Sequence, residues 1–333
     1  MNYTISLLDK SPVAPSGNGV DALQTSIRFA EAAEALGYAR LWLAEHHGSP
    51  GLAGSAPEIL AAHLLARTRS IRIGTGGVLL QHYSPFKVAE VFKVLSALAP
   101  GRVDLGIGKA PGGLPITARA LQAKHGGDGR PGFGAQLRDL HGFLDGSLPD
   151  GHPLSGAIAH PQVPARIERF LLGASEETAR LAAELGWNFT FAGHFNGDVE
   201  SIETSFAAYR ALAGRAPSLA VFAYADTSTA KAREAVAHVR IFRLTLPDGR
   251  RFNVASLDQA SEFARQVGAE TYSIEPAEPQ VIAGTADEVR RELDRLSRRF
   301  GVEEFIIDTP VAEAERRIGS IERIAGRRLT AAA

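Results

Sequence analysis

The sequence predicts a single closed (β/α)8 barrel of the TIM type, an α/β fold. Three observations lead there. Short apolar runs alternate with amphipathic helical segments along most of the chain, the pattern of βαβ units and a parallel sheet. The runs number eight, which suits a closed barrel. One of them, Leu41-Trp42-Leu43-Ala44, ends abruptly in Glu45-His46-His47, and the C-terminal end of a strand is where such a barrel keeps its chemistry.

The elements follow in order. Tyr3–Leu8 is the first strand, and Asp21–Leu36 the first helix, with Gly37 as its stop. Leu41–Ala44 is the second strand. Pro57–Arg67 is an alanine-rich helix with Pro57 in its first turn. Ile71–Gly74 begins the third strand, which continues as Val78–Leu80 beyond a glycine pair. Pro85–Leu98 is a helix and Arg102–Ile107 the fourth strand. Glycine-rich, polar residues from Lys109 to about Gly134 read as a long loop and a candidate lid. The helix Gln136–Leu144 and an irregular, proline-bearing stretch lead to the fifth strand, Arg169–Leu172. Helix Glu176–Leu185, strand Trp187–Phe191, helix Val199–Leu212 and strand Leu219–Tyr224 complete seven strands. Residues 227–282 read as a helical insertion after the seventh strand, with helices near Thr229–Val239 and Leu257–Val267. Helix Ala286–Phe300, the eighth strand Glu304–Asp308 and helix Ala312–Ile324 close the chain, and 327–333 is expected to fray. The whole of 1–333 is read as one domain.

Composition narrows the function. The chain has 333 residues and a net charge of -1, from 36 basic and 37 acidic residues, so it carries no nucleic-acid footprint and no signature of an acidic-membrane binder. It has no cysteine, which excludes disulfides, thiolate catalysis and Cys-ligated zinc or iron–sulfur centres. The first residues show no basic-then-apolar leader, and no apolar run approaches the roughly 18 residues of a membrane span. A soluble cytoplasmic enzyme is the expectation.

The side chains that bear chemistry sit at strand ends. Along the second strand, alternation puts Trp42, Ala44 and His46 on one side and Leu43, Glu45 and His47 on the other. A histidine near its ordinary pKa exchanges protons around neutral pH. The plain alternative is that it only orders the following loop. Adjacent histidines do not converge on one ion, no His-Glu-x-x-His is present, and no metal site is expected. Gly74-Thr75-Gly76-Gly77-Val78 interrupts the third strand, either as a simple bulge or as bare backbone for a flat ligand. Leu105-Gly106-Ile107-Gly108-Lys109 has the wrong spacing for a dinucleotide fingerprint, and Pro111 intrudes, yet a glycine-rich turn with Lys109 suits a phosphate. Ala174, Ser175 and Thr178 open a helix whose free N–H groups suit an anion, or Ser175 merely caps it. Glu176 and Glu177 beside them oppose an anion unless they point outward. His194 and Phe195, and more weakly His82, are candidates to line a pocket with Glu45.

Together these segments resemble the bacterial luciferase-like flavin monooxygenases, closest to the small single-domain branch of the MsnO type. The resemblance rests on Leu7–Pro12, Trp42–His47, Ile71–Val78, Ser84–Glu90, Gly101–Gly108, Gly173-Ala174-Ser175 and Gly284-Thr285. It is specific from residue 3 to about 113 and patchy to about 310. It implies a (β/α)8 barrel, usually a homodimer, that takes FMN at its C-terminal face. His46 then occupies the catalytic position beside the flavin ring. Gly76-Gly77 matches a non-proline cis peptide under the ring. Lys109 falls where a cation, usually Arg, meets the phosphate, and Ala174, Ser175 and Thr178 match the phosphate loop. Lys lacks the bidentate grip of Arg, which suits reduced FMN arriving as a diffusing co-substrate.

The activity this implies is a two-component monooxygenase. A separate flavin reductase supplies reduced FMN, O2 reacts through a C4a-peroxyflavin, and a small organic molecule is oxygenated. The same superfamily contains F420-dependent reductases and dehydrogenases. A flavin-binding protein without catalysis and a sugar-phosphate barrel enzyme are further alternatives.

Overall fold

Eight parallel strands hydrogen-bond around a closed ring. The computed structural model describes residues 3–123, 131–195, 197–277, 279–327 and 329. Its strands are β1 (Thr4–Asp9), β2 (Arg40–Leu43), β3 (Arg72–Thr75), β4 (Val78–Leu79), β5 (Val103–Gly108), β6 (Glu168–Gly173), β7 (Asn188–Phe191), β8 (Ser218–Ala225), β9 (Ile241–Thr245), β10 (Arg251–Val254), β11 (Ser273–Ala277), β12 (Val281–Gly284) and β13 (Glu304–Asp308). The helices are α1 (Gly19–Leu36), α2 (Pro57–Arg67), α3 (Pro85–Leu98), α4 (Pro115–Leu121), α5 (Phe133–Asp145), α6 (Glu176–Glu184), α7 (Val199–Ala213), α8 (Thr229–Val236), α9 (Leu257–Gln266), α10 (Ala286–Phe300) and α11 (Ala314–Ala325). The ring runs β1-β2-β3-β5-β6-β7-β8-β13 and closes where β13 pairs with β1. This is the (β/α)8 barrel that the alternating pattern predicts.

Strand alternation divides the core in two. Leu8, Trp42, Phe170, Ala220 and Ile306, all at even positions, form the plug inside the barrel. Leu7, Leu41, Ile73, Leu105, Leu171, Phe189, Val221 and Ile307, at odd positions, pack outward with the helices in the larger cluster. Strands β1, β2, β6, β8 and β13 thus carry apolar residues on both faces, as in a parallel sheet covered on both sides, while the inner positions of β3, β5 and β7 are Arg72 and Gly74, Asp104 and Gly106, and Asn188 and Thr190.

Below the plug, at the N-terminal end, charges fill the barrel. Asp104 is fully buried. Its carboxylate accepts from Arg40 (2.8 Å), Arg72 (2.6 Å) and Trp42 Nε1 (3.0 Å). Arg40 also pairs with Glu304 at 2.7 Å, and the Ser6 hydroxyl donates to the same carboxylate at 2.5 Å. The opposite end is left for the site.

Three differences from the sequence reading have physical causes. The expected loop after the fourth strand contains α4, with Pro115 at its first turn; residues 124–130 of the candidate lid lie outside the described residues. The segment 227–282, expected to be helical, contains α8 and α9 but also an antiparallel sheet in the order β10-β9-β11. Its strands are short and mostly half-exposed, so no strong apolar run marked them. Its last strand, β12, returns to the barrel. Phe222 pairs with Asp308 on one side and Val281 on the other, so β12 takes the flank of β8 above the point where β7 ends. Arg328 and residues 330–333, most of the expected frayed tail, lie outside the described residues. Among the described residues no helix is long and apolar enough to cross a membrane.

Candidate active site

The inward positions next above the plug carry the ionisable groups. His46 follows β2, and its backbone N–H donates to Gly54 O at 2.9 Å. It continues the inward series of Arg40 and Trp42. His47, one residue on, turns to the outer side and meets Glu45 at 2.7 Å, as alternation demands. Lys10, after β1, pairs with Asp308 at the end of β13 at 2.7 Å, and its ammonium lies 5.0 Å from the centre of the Phe222 ring. His194, after β7, packs 4.0 Å from Phe195 and 5.4 Å from Phe222, centroid to centroid.

The electrostatics of this group are dominated by burial. Burial and then the Lys10 charge push His46 down from its usual pKa to about 4, with Asp308 and Glu45 opposing. Burial likewise pushes His194 down to about 4, with Asp308 opposing and Lys10 reinforcing the shift. Both imidazoles are neutral at pH 7. The expectation that His46 titrates near neutrality is corrected by its desolvation. The Nδ1 atoms of both are buried without a partner among the described residues.

The glycine pair is the second part. Gly76–Gly77 is a cis peptide, at the position the resemblance indicated. A Cβ on Gly76 would stand 3.0 Å from Trp42 Cβ and Leu8 Cδ1, and one on Gly77 would stand 2.7 Å from the Gly106 carbonyl oxygen. The pair is thus pressed onto the plug from below. It remains half-exposed, as bare backbone, above.

The third part is at β5 and β6. Ile107 pairs with Leu171, so Lys109 and Gly173, each two residues on, leave the barrel at the same level. Lys109 is exposed, 5.8 Å from the Phe133 ring centre. Ser175 caps α6 by accepting from the Thr178 N–H at 3.3 Å, and its hydroxyl lies 3.0 Å from that of Thr178. Ala174 is half-buried beside them. Glu176 is drawn along the helix to Arg180, at 2.8 Å from Nε, which relieves its opposition to an anion at the helix terminus.

Two candidates do other work. The Glu45 carboxylate, fully buried, accepts from Tyr83 Oη (2.8 Å) and the Leu79 N–H (3.0 Å) besides meeting His47. It ties the end of β2 to the segment after the glycine pair, on the outer side of the barrel, and is not part of a pocket wall. Near it, the buried carboxylate raises the Tyr83 phenol well above its usual range, after burial itself. His82 is buried, with Nε2 at 3.1 Å from the Pro111 carbonyl and Nδ1 at 3.0 Å from Gln122 Nε2. It fastens the segment before and after α4. Lys10, Asp308 and Phe222 were missed as site residues. The rule that singled out His46, an ionisable group at the C-terminal end of a barrel strand, applies equally to Lys10 and Asp308.

Comparison with known proteins gives a consistent picture. The sequence profile of the luciferase-like monooxygenases matches residues 1–327. The N-acetyl-S-alkylcysteine monooxygenase of Bacillus subtilis (strain 168) is 41% identical over 317 residues, covering 93% of each chain. The crystal structure of apo-MsnO8 superposes with a TM-score of 0.76 at 30% identity over 97% of each chain. The FMN complex of the oxygenating constituent of 3,6-diketocamphane monooxygenase, from Pseudomonas putida, has the same fold, with a TM-score of 0.71 at 16% identity, covering 97% of this chain and 96% of that one.

Proposed function

The chain belongs to the luciferase-like monooxygenase family, and from that premise we propose that it is a reduced-FMN-dependent monooxygenase of a small organic substrate, fed by a separate flavin reductase. The observation that carries the reading is the bare Gly76–Gly77 backbone at the same barrel mouth as the neutral, unpartnered His46 imidazole. A flat ring fits against peptide that no side chain shields. Lys109, the N-terminus of α6 and the hydroxyls of Ser175 and Thr178 would hold the phosphate. When bound, reduced FMN supplies the electrons that activate O2. The protein's share is positional. Gly76–Gly77 fixes the plane of the ring. His46 presents a neutral imidazole for a hydrogen bond or a proton. The plug and the Phe222 ring keep water from the mouth.

The Bacillus subtilis relative acts, by its name, on N-acetyl-S-alkylcysteines. We take small N-acyl thioether amino acids as the substrate class to try first. A homodimer through α2 and α3 is part of the proposal; Ile59, Val94 and Leu98 on those helices stand 69%, 45% and 73% exposed.

The test is an anaerobic titration of the protein with FMN, reduced FMN and F420, followed by admission of oxygen with N-acetyl-S-benzylcysteine. Preference for reduced FMN and oxygen-dependent consumption of the thioether are expected. Preference for F420, with turnover that needs no oxygen, would move the chain to hydride transfer.

A further inference from the structure

The barrel mouth carries lysines on two opposite sides. The ring runs β1-β2-β3-β5-β6-β7-β8-β13, so β1 stands across it from β6, and β13 across from β5. Lys109 and Ser175, which follow β5 and β6, form the side where the flavin reading places a phosphate. Lys10 and Asp308 lie on the far side, which a phosphate at Lys109 leaves for another ligand.

Lys10 points into the mouth. Asp9, one residue before it, turns outward and meets Arg317 at 2.7 Å, so alternation sends Lys10 inward. Its neighbours are inner residues as well. Asp308 and Phe222 each stand two residues beyond a plug residue, Ile306 and Ala220. The plug closes the space beneath, so the 19% of the Lys10 side chain that is exposed opens toward the C-terminal end. The exposed part includes the charge. Asp308 Oδ2 is sealed from solvent, with the side chain 2% exposed, whereas Lys10 Nζ is not among the sealed atoms. An ammonium has three N–H groups, and Asp308 is the one ion-pair partner of Lys10 among the described residues. The same positive charge reaches both His46 and His194, so an anion seated on Lys10 lies beside the imidazole proposed to handle the proton.

We propose that Lys10 is a substrate-binding residue, whose ammonium holds the carboxylate of a small organic acid while Asp308 fixes the ammonium from behind. The inference rests on the monooxygenase reading for the use of the mouth, and it narrows the N-acyl thioether amino acids proposed above to their free acids. Lysine is a point charge. With Asp308 behind it, a singly charged group meets the N–H donors first, and a doubly charged one would add repulsion from Asp308. The Phe222 ring, its centre 5.0 Å from Nζ, gives the rest of the molecule an apolar wall.

The test compares two probes by calorimetry: N-acetyl-S-benzylcysteine and its primary amide, which has the same shape without the charge. The unaltered protein should bind the acid about tenfold tighter or more, the scale of a hydrogen bond to a charged group. Lys10→Met should lose that preference, with its affinity for reduced FMN unchanged, and Lys10→Arg should keep it. Removing the ammonium also leaves Asp308 unpaired. The double variant Lys10→Met, Asp308→Asn therefore separates contact from neutralisation, and it preserves the test if the unpaired acid unfolds the single variant. It should bind the two probes alike. If it regains the preference of the unaltered protein, Lys10 serves only to neutralise Asp308 and the proposal falls. It falls too if Lys10→Met retains the preference, if the unaltered protein shows none or binds neither probe, or if Lys10→Met loses reduced FMN instead. Failure of the unaltered protein to bind reduced FMN would remove the monooxygenase reading, while the ratio of the two probes would still report on Lys10.

Discussion

His46 and His194 are held neutral by their surroundings, and two measurable consequences follow at the scale of the residue. The first concerns catalysis. A neutral His46 carries one unprotonated ring nitrogen and can take a proton or a hydrogen bond there. Its replacement in His46→Ala should lower turnover about 100-fold, with binding of reduced FMN changed much less. Because its pKa is about 4, the pH profile of kcat/KM should show no inflection from this group between pH 6 and 8. An imidazole titrating near 6.5 in that profile would contradict the burial. The second concerns stability. Unfolded histidine takes up a proton near 6.5, whereas these two take one only near 4. The stability gained by keeping them neutral is complete above about pH 6.5 and is lost as the pH falls toward 4, by roughly 3 kcal/mol for each residue. Urea denaturation at pH 7 and pH 4.5 measures this directly. The loss on acidification should be smaller in His46→Gln, which has nothing to protonate.

At the scale of the element, the break between β3 and β4 is the part most sensitive to size. A methyl group on Gly77 would press on the Gly106 carbonyl at 2.7 Å, which is backbone and cannot rotate aside. Gly77→Ala should destabilise the fold by about 1–3 kcal/mol and weaken reduced FMN binding, since the displaced peptide is the proposed floor for the ring. A denaturation midpoint and a flavin titration on the same sample check both. The glycine pair was legible in the sequence as a bulge or a bare ledge, because glycine inside an apolar run has few other meanings. The role of Glu45 was not. Beside two histidines it reads as a pocket acid, yet its carboxylate is spent on Tyr83, His47 and the Leu79 N–H. Only the packing of the segment after Gly77 over the end of β2 reveals that. The barrel strands were legible because their outer faces are largely apolar and five of the eight add an apolar plug residue inside. β9, β10 and β11 were not, since each buries one face partially and β11 even carries Pro276.

The whole molecule explains why Lys10 and Asp308 form a site pair at all. They stand at opposite ends of the sequence and meet only because β13 closes on β1. No local pattern announces a contact of that kind. The same closure separates function from stability along the barrel axis. One end gathers His46, His194 and the glycine pair, the other gathers Arg40, Arg72, Asp104 and Glu304, and the plug of Trp42 and Phe170 lies between. Trp42 touches both ends, for its indole N–H donates to Asp104 while its ring supports Gly76. Removing the central acid in Asp104→Ala would leave Arg40 and Arg72 with only Glu304 and the half-exposed Glu168 as acidic partners, and the buried Trp42 N–H without an acceptor. Loss of one partner from a buried ion pair costs about 3–5 kcal/mol. Here the arginines keep some access to water, with side chains 12% and 21% exposed, so the lower end of that range, about 3 kcal/mol, is expected. The loss should appear in the denaturation midpoint. Affinity for reduced FMN should stay within about twofold, because conservation of geometry at the C-terminal face depends on strand ends that Asp104 does not touch. A large fall in flavin affinity would mean that Trp42 transmits strain from the floor of the barrel to Gly76, and that the two ends are not separable.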